Sequence, residues 1–371
     1  MKSLKVLVIG GGIGGLTAAI ALRAKGFEVE IIEKNPDWSV YGVGIIQQSN
    51  VIRAMAELGI LDKYLGAAFA FDFVEVYLPD GKRIARVPAP RLVEGYPANL
   101  GVSRRALHNV LGDSAKAAGA TIRLGVTATV LEDDGEGVSA TFSDGATRRY
   151  DMVVGADGLY STTRKMLFPD APEPEFTGQA VWRYNLPKPP ELDSLQTYEG
   201  PHSVGLVPLS QALMYMFITT PEPGNPRYPR EGLAAAMRSK LTAVPPAIAA
   251  LRDLITDDDE VVYKPMECIF MHGDWHKGRV VLIGDAIHAT TPHLGQGAGM
   301  AIEDAIVLAD ELARGDSPEA AFQTYRARRF ERCEFIAGTS RAIGDGQIGK
   351  GPRVDHAKAT IDMFALTAKP I

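Results

Sequence analysis

The sequence predicts an α/β fold, in which a parallel sheet with packed helices receives an inserted β-sheet domain. Three observations predict it. Short β-branched runs without polar alternation recur at Val6–Ile9, Asp151–Asp157 and Val280–Ile283, the pattern of strands buried on both faces. Each run leads into glycine, where a ligand can approach the end of a parallel strand. From Pro169 to Pro190 prolines become frequent, and strand patterns then displace the helix–strand rhythm.

Taken in order, Val6–Ile9 opens into Gly10, Gly12 and Gly15, spaced G-x-G-x-x-G. The first glycine permits a tight turn, the second lets backbone approach a pyrophosphate, and the third lets helix and strand pack closely. Amides at the following helix N-terminus turn partial positive charge toward phosphate. That helix carries Leu16, Ala18, Ala19, Ile20 and Leu22, and Gly26 stops it. Val29, Ile31 and Ile32 form a second strand ending at Glu33, an acid placed to bond a ribose 2′-hydroxyl. Strand, glycine turn, helix and acid in this order make a Rossmann-like dinucleotide site. The acid argues against a 2′-phosphate, leaving NAD or FAD.

A glycine-rich loop, Lys34–Ile46, leads to a helix over Gln48–Leu58. Phe71–Val87 reads as a hairpin turning at Pro79-Asp80-Gly81. Val102–Ala118 reads as a helix with Ser103 as N-cap, followed by strands at Thr121–Leu131 and Gly137–Phe142. Strand patterns such as Ala212–Thr219 fill 180–220, and one or two helices fall in 231–255. Another strand precedes Gly278–Leu312, which returns to α/β character. Pro318–Ile343 is a long helix with Phe322, Tyr325, Phe330 and Ile336 as its inner face. The tail after Gly344 lacks periodicity and is assigned no structure. The expected organisation is a dinucleotide-binding domain from 1–70, 100–175 and 265–345, an inserted sheet domain from 71–99 and 176–264, and a tail, 346–371.

The chain has 371 residues, 46% hydrophobic and 23% charged, with formal net charge −6. This acidic balance leaves no footprint for nucleic acid. No apolar run is long and clean enough to span a bilayer. Gly10–Gly15 interrupts the apolar start, so the reading is a mature cytoplasmic protein. Cys268 and Cys333 read as buried thiols rather than a disulfide.

Two further motifs carry chemistry. Gly155-Ala156-Asp157-Gly158 closes the second buried strand, and Asp157 can accept bonds from ribose hydroxyls or from loop amides. By itself it is also what an Asp-Gly turn looks like. The third motif is GDAIHATTPHLGQGAGMAIEDA, with Asp285 at a strand end and a glycine-rich helix N-terminus able to hold negative charge on a reduced flavin ring.

Together GGGIGGLTAAIAL with IIEK, the GADG strand and the third motif resemble the single-component FAD-dependent aromatic hydroxylases, the flavoprotein monooxygenases of the para-hydroxybenzoate and salicylate hydroxylase type. The resemblance runs in family order to about residue 340 and implies a Rossmann-like FAD-binding domain with an inserted β-sheet substrate domain. It implies that Gly10, Gly12, Gly15 and Glu33 hold the ADP part of FAD, and that Arg104 reaches its phosphates and ribityl region. Asp157 and Gly158 would serve FAD and NAD(P)H, and Asp285 the ribityl chain. Pro292, Leu294, Gln296 and Gly297 would flank the flavin ring, near which the family forms a flavin peroxide. Gly14, Lys34, Gly44 and Val126 complete the expected cofactor set. No second G-x-G-x-x-G follows a strand, since the one at 344–349 closes a helical pattern, so NAD(P)H would visit a surface cleft.

His272 and His276 are four apart, and His288 lies near His293, but no cysteine or paired carboxylate completes a zinc set at sound spacing. No metal is therefore expected; His293 and Pro292 remain candidates facing substrate. The inserted sheet holds Trp182, Arg183, Tyr184, Tyr198, His202, Tyr215 and Phe217. Alternating aromatics on strands often fill a core, while Tyr, His and Arg on one face suit a phenolate or carboxylate pocket. The candidates are Arg183 for an anionic group and Tyr215 or His202 for a hydroxyl. The expected reaction consumes NAD(P)H and O2 to hydroxylate a small phenolic or N-heteroaromatic substrate, in a monomer or homodimer with no nucleic-acid or membrane partner. A larger polyketide-like substrate and a non-catalytic flavin sensor are the alternatives.

Overall fold

The computed structural model describes residues 4–371 apart from 41, 201 and 243; Tyr41 of the expected glycine-rich loop therefore lies outside the described residues. The opening unit is β1 (Lys5–Ile9), α1 (Ile13–Ala24) and β2 (Glu28–Glu33), with β1 and β2 parallel. Val6, Leu7 and Val8 have no solvent exposure, each contributing about 1.5–3 kcal/mol on burial. Then come β3 (Gly44–Gln48), α2 (Ser49–Glu57), α3 (Leu61–Gly66) and β4 (Ala68–Phe71). The expected hairpin is β5 (Phe73–Tyr77) and β6 (Arg83–Pro88), antiparallel, with Gly81 at φ 87° in the turn.

Next are β7 (Asn99–Ser103) and α4 (Arg104–Ala117), whose Ser103 hydroxyl accepts the Ala106 N–H as its cap. The single strand expected over Thr121–Leu131 is two: β8 (Thr121–Leu124) and β9 (Ala128–Asp133), which join different sheets. Gly125, at φ 73°, breaks the run between them. β10 (Val138–Phe142) and β11 (Thr147–Tyr150) complete a small meander with β9, and β12 (Met152–Gly155) and α5 (Thr162–Leu167) follow.

The inserted sheet begins with β13 (Glu175–Pro187), then β14 (Leu195–Tyr198), β15 (Ser203–Pro208) and β16 (Leu213–Pro221). Helices α6 (Leu233–Ser239) and α7 (Pro246–Arg252) precede β17 (Val262–Cys268), which pairs with β13. The domain boundary expected at 265 thus falls inside a strand of the inserted sheet. β18 (His276–Lys277), β19 (Val280–Leu282), α8 (Asp285–His288), α9 (Gly297–Arg314) and α10 (Pro318–Gln347) follow. The tail is not structureless: α11 (His356–Ala368) folds back on α10, capped by Asp355. Its buried residues, Ala359, Met363 and Thr367, recur every four positions, but one of them is polar and apolar Ile361 is exposed, which blurs the stripe.

Two large sheets result. One has six strands in the order β18-β19-β12-β1-β2-β8, parallel except for β18. The other has seven, ordered β17-β13-β16-β15-β14-β5-β6, and only its β14–β5 pairing is parallel. The six-stranded sheet is covered by α1, which packs on α9 and α4. One face of the seven-stranded sheet is sealed by a core of Trp182, Tyr184, Leu206, Met216 and Ile218 with Met237 and Ile248 from α6 and α7. Its other face opens on a chamber.

Candidate active site

A chamber of about 2130 Å³ lies between the carboxyl ends of the parallel strands and the open face of the seven-stranded sheet. Its floor is built from backbone. Gly10 sits at φ 110° with its Cα so close to the next strand that a Cβ would come 2.4 Å from the Ala156 carbonyl, and a Cβ on Gly15 would reach the Gly10 carbonyl at 2.0 Å. Nothing lies within 4 Å of a Cβ built on Gly12, which faces the chamber. The loop is pinned from three sides. Gly11 N–H donates to the Glu33 carboxylate (2.8 Å), and the Gly11 carbonyl accepts from Trp38 Nε1 (3.0 Å) and from His108 Nε2 (3.0 Å). A carbonyl can only accept, so His108 carries its proton on Nε2. Trp38, with φ 46°, is held in a conformation costly for a bulky side chain. Neither Trp38 nor His108 was legible as a site residue, since their roles depend on α4 crossing the loop.

Of the expected cofactor residues, Gly12, Gly14, Glu33, Lys34, Gly44, Arg104, Gly158, Asp285 and Gly297 line the chamber. Asp285 makes no hydrogen bond to the protein; its carboxylate is open to the chamber, and this sheltered position raises its pKa despite the pull of His288 and Arg104. Three expected residues do something else. Both Asp157 oxygens are taken by its own loop, from Ser161 Oγ, Thr162 Oγ1, and the Thr163 amide and hydroxyl, so this carboxylate ties down the start of α5. Val126 is buried, and its N–H donates to the Glu33 carbonyl (3.0 Å). Gln296 points inward: its amide exchanges hydrogen bonds with Asn50 (3.0 Å each) and reaches Gln48. It anchors the loop ahead of α9 rather than facing a flavin ring.

The roof divides the aromatic and cationic residues between two faces. Trp182 and Tyr184 belong to the sealed core, and Tyr198 stacks on Tyr77. Arg183, Tyr215 and Phe217 line the chamber, because the side chains of a strand alternate and Arg183 pairs with Phe217 in register. His202, just before β15, is not among the described residues that line it. Arg183 forms no ion pair with a carboxylate among the described residues; burial, then the charge of Arg104, pushes its pKa down to about 10. Burial raises the Tyr215 hydroxyl, and its ring sits so close to Gly44 that a Cβ there would meet it at 2.4 Å. Pro292 and His293 line the chamber too, but His293 is fully engaged. Gln347 Oε1 can only accept, so His293 Nε2 donates to it (3.1 Å), and Nδ1 accepts from Thr291 Oγ1 (2.9 Å). Burial lowers its pKa to about 4. A neutral ring bonded at both nitrogens pins the loop and has no lone pair left to serve as a base.

His288, Asp304 and Cys333 form a buried cluster with metal-ligating atoms. Asp304 is already spoken for, by Arg329 Nε (2.8 Å), by the Gly284 amide (2.9 Å) and by His288 Nε2 (2.7 Å). The neighbouring cations hold its carboxyl well below the ordinary range. A guanidinium where a metal would bind makes this a structural ion network under the chamber.

Glycine backbone at a helix start, an acid at the end of the second strand, and a chamber roofed by Arg183 and Tyr215 define a dinucleotide-binding α/β protein with space beside the dinucleotide turn. The chain belongs to the FAD binding domain family, whose model matches residues 3–338. It is 32% identical over 359 residues to a 3-hydroxybenzoate 6-hydroxylase of Polaromonas naphthalenivorans (strain CJ2), covering 92% of this chain and 87% of that one. It is 29% identical over 367 residues to an FAD-dependent urate hydroxylase of Klebsiella pneumoniae, covering 95% and 93%. The structure of Klebsiella pneumoniae HpxO complexed with FAD and uric acid superposes with a TM-score of 0.85 at 26% identity, covering 99% of this chain and 93% of that chain. The cofactor is FAD, and the residues present fit it: open space at Gly12, the unbonded Asp285 carboxylate and Arg104 all face the one chamber. No helix among the described residues is long and apolar enough to cross a membrane.

Proposed function

We propose that this protein is a monooxygenase that uses NAD(P)H and O2 to hydroxylate a small phenolic or N-heteroaromatic acid. The observation that carries the reading is Arg183: a guanidinium without a carboxylate partner, beside Tyr215, on the roof of the chamber whose floor fits FAD. Bound FAD, reduced by NAD(P)H, supplies the redox chemistry that activates O2. The chain's own residues hold and orient. Gly12, Glu33, Arg104 and Asp285 hold the cofactor. Arg183 binds the substrate's anionic group, since a pKa of about 10 keeps it charged at neutral pH. Tyr215, its hydroxyl kept protonated by burial, donates to or accepts from a ring hydroxyl. Leu294 and Phe217 add apolar walls that limit water.

The FAD-binding part comprises the six-stranded sheet with its helices, and the substrate part the seven-stranded sheet. Both cysteines are free, which supports a reducing, cytoplasmic location. The test is a panel of phenolic and N-heteroaromatic acids screened for stimulated NADH and NADPH consumption, followed by product mass under labelled O2. One labelled oxygen in the ring product is expected. Label confined to peroxide or water would make the protein an oxidase or a flavin sensor.

A further inference from the structure

The chamber continues sideways beyond Arg183, and strand register shows where. On the open face of the seven-stranded sheet, Arg183 pairs with Phe217, Phe217 with Gly205, Gly205 with Thr197, Thr197 with Val76, and Val76 with Ala85. One pleat along, Leu195 pairs with Val74 and Val74 with Val87. From β16 to β6 this is four strand spacings, about 19 Å. The side chains at these register positions beyond Phe217 are small or apolar and uncharged, and all of Leu195, Thr197, Val74, Val76, Ala85 and Val87 line the chamber, with the charge of Glu199 confined to the rim past the end of β14. The opposite face of the same strands carries the charge: Glu75 is buried there against Arg83 and Tyr77. Val87 and Ile84, both on β6, are each 50% exposed and line the chamber.

This strip is continuous with the ring site, so what covers it can be part of the same ligand. The chamber, at about 2130 Å³, also exceeds the ~300–1,000 Å³ of a single ligand pocket by enough for a cofactor and a second sizeable molecule. We propose that the substrate ring carries an apolar chain, alkyl or prenyl in character, which runs along this strip from Phe217 toward the β5–β6 edge. The inference rests on the hydroxylase reading and deepens it, because the ring would sit at Arg183 and Tyr215 and the chain would run from them along the sheet.

The test separates the two. FAD-loaded protein is titrated calorimetrically with 2-hydroxybenzoate and its ring-alkylated homologues bearing propyl, pentyl and heptyl chains at each free ring position, and NAD(P)H consumption is followed in parallel. For at least one ring position the Kd should fall with chain length, by up to about fourfold per buried methylene. Val76→Glu should flatten that series, with a loss that grows with chain length, whereas Val76→Ile should preserve it; flavin content and light scattering report folding and oligomeric state. A Kd independent of chain length, no binding of any homologue, or a Val76→Glu loss equal for short and long chains would overturn the strip. So would a Val76→Glu change in oligomeric state, which would make the face a subunit contact. Chain-dependent binding with no turnover of any homologue would uphold the strip and count against the hydroxylase reading instead.

Discussion

The floor and the roof of the chamber solve recognition differently. The floor rests on backbone, with glycines at strand ends and a carbonyl clamped by Trp38 and His108, and adds only a few polar side chains, Glu33, Arg104 and Asp285. The roof uses side chains on a sheet whose two faces have opposite fates, one sealed by α6 and α7, the other open. Backbone recognition tolerates little substitution where a Cβ would strike backbone, as at Gly10 and Gly15. Side-chain recognition is exchangeable, since a strand position can carry any residue that fits the pleat. The floor should therefore fix the cofactor, and the roof the choice of substrate.

The largest effect should come from breaking the floor. In Gly15→Val a Cβ would lie 2.0 Å from the Gly10 carbonyl, and backbone cannot give way as a side chain can. The cost should exceed the ~1–3 kcal/mol of ordinary overpacking, with loss of flavin and of much of the thermal stability, measured by absorbance and melting. Retention of stoichiometric FAD would show that the turn is not the cofactor cradle.

A paired experiment then sharpens the contrast. Asp285→Ala removes a chamber-facing carboxylate that makes no hydrogen bond to the protein, so it should lose most bound flavin while circular dichroism stays near native. Arg183→Gln should keep its flavin and weaken binding of aromatic acids by about tenfold or more, the ~1.5–3 kcal/mol of a hydrogen bond to a charged group. Flavin lost equally from both variants would erase the distinction between floor and roof.

The smallest effect belongs to the seam between them, where His293 joins the loop before α9 to Gln347 at the end of α10. Its folded pKa, about 4, lies below the ordinary 6.5, so folding is disfavoured by protonation. Its contribution is complete above pH 6.5 and is lost as pH falls toward 4. His293→Gln should remove part of the acid-induced drop in melting temperature within that window and leave the drop outside it alone. Equal acid sensitivity in both proteins would mean that His293 is not pinned as its hydrogen bonds indicate.

How much of this was legible in the sequence follows from the same contrast. Gly10, Gly12, Gly15, Glu33 and Asp285 stood out because a strand-to-helix turn at a ligand admits few residue types, and spacing records that restriction. Asp157 and Gln296 shared those motifs, yet only the loop geometry turned one onto its own helix cap and the other onto Asn50. Composition cannot tell a carboxylate that faces a ligand from one that caps a helix, because both need the same acceptor. The inserted sheet shows the limit most clearly. Arg183 and Trp182 are adjacent in the chain and lie on opposite faces, one in the chamber and one in a core. Alternation assigns them to different faces, but which face is open depends on where α6 and α7 pack. The chain's local chemistry by itself determined the dinucleotide turn and the buried character of its strands, since β1, α1 and β2 follow one another in the chain and the apolar runs are local patterns. The tertiary structure alone decided which strands flank that turn, which face of the inserted sheet became the substrate wall and where the end of α11 is held. The reason is that β1 pairs with β12, β5 with β14, and Arg53 donates to the Thr367 and Ala368 carbonyls, partners far away in the chain of which a short run of sequence holds no record.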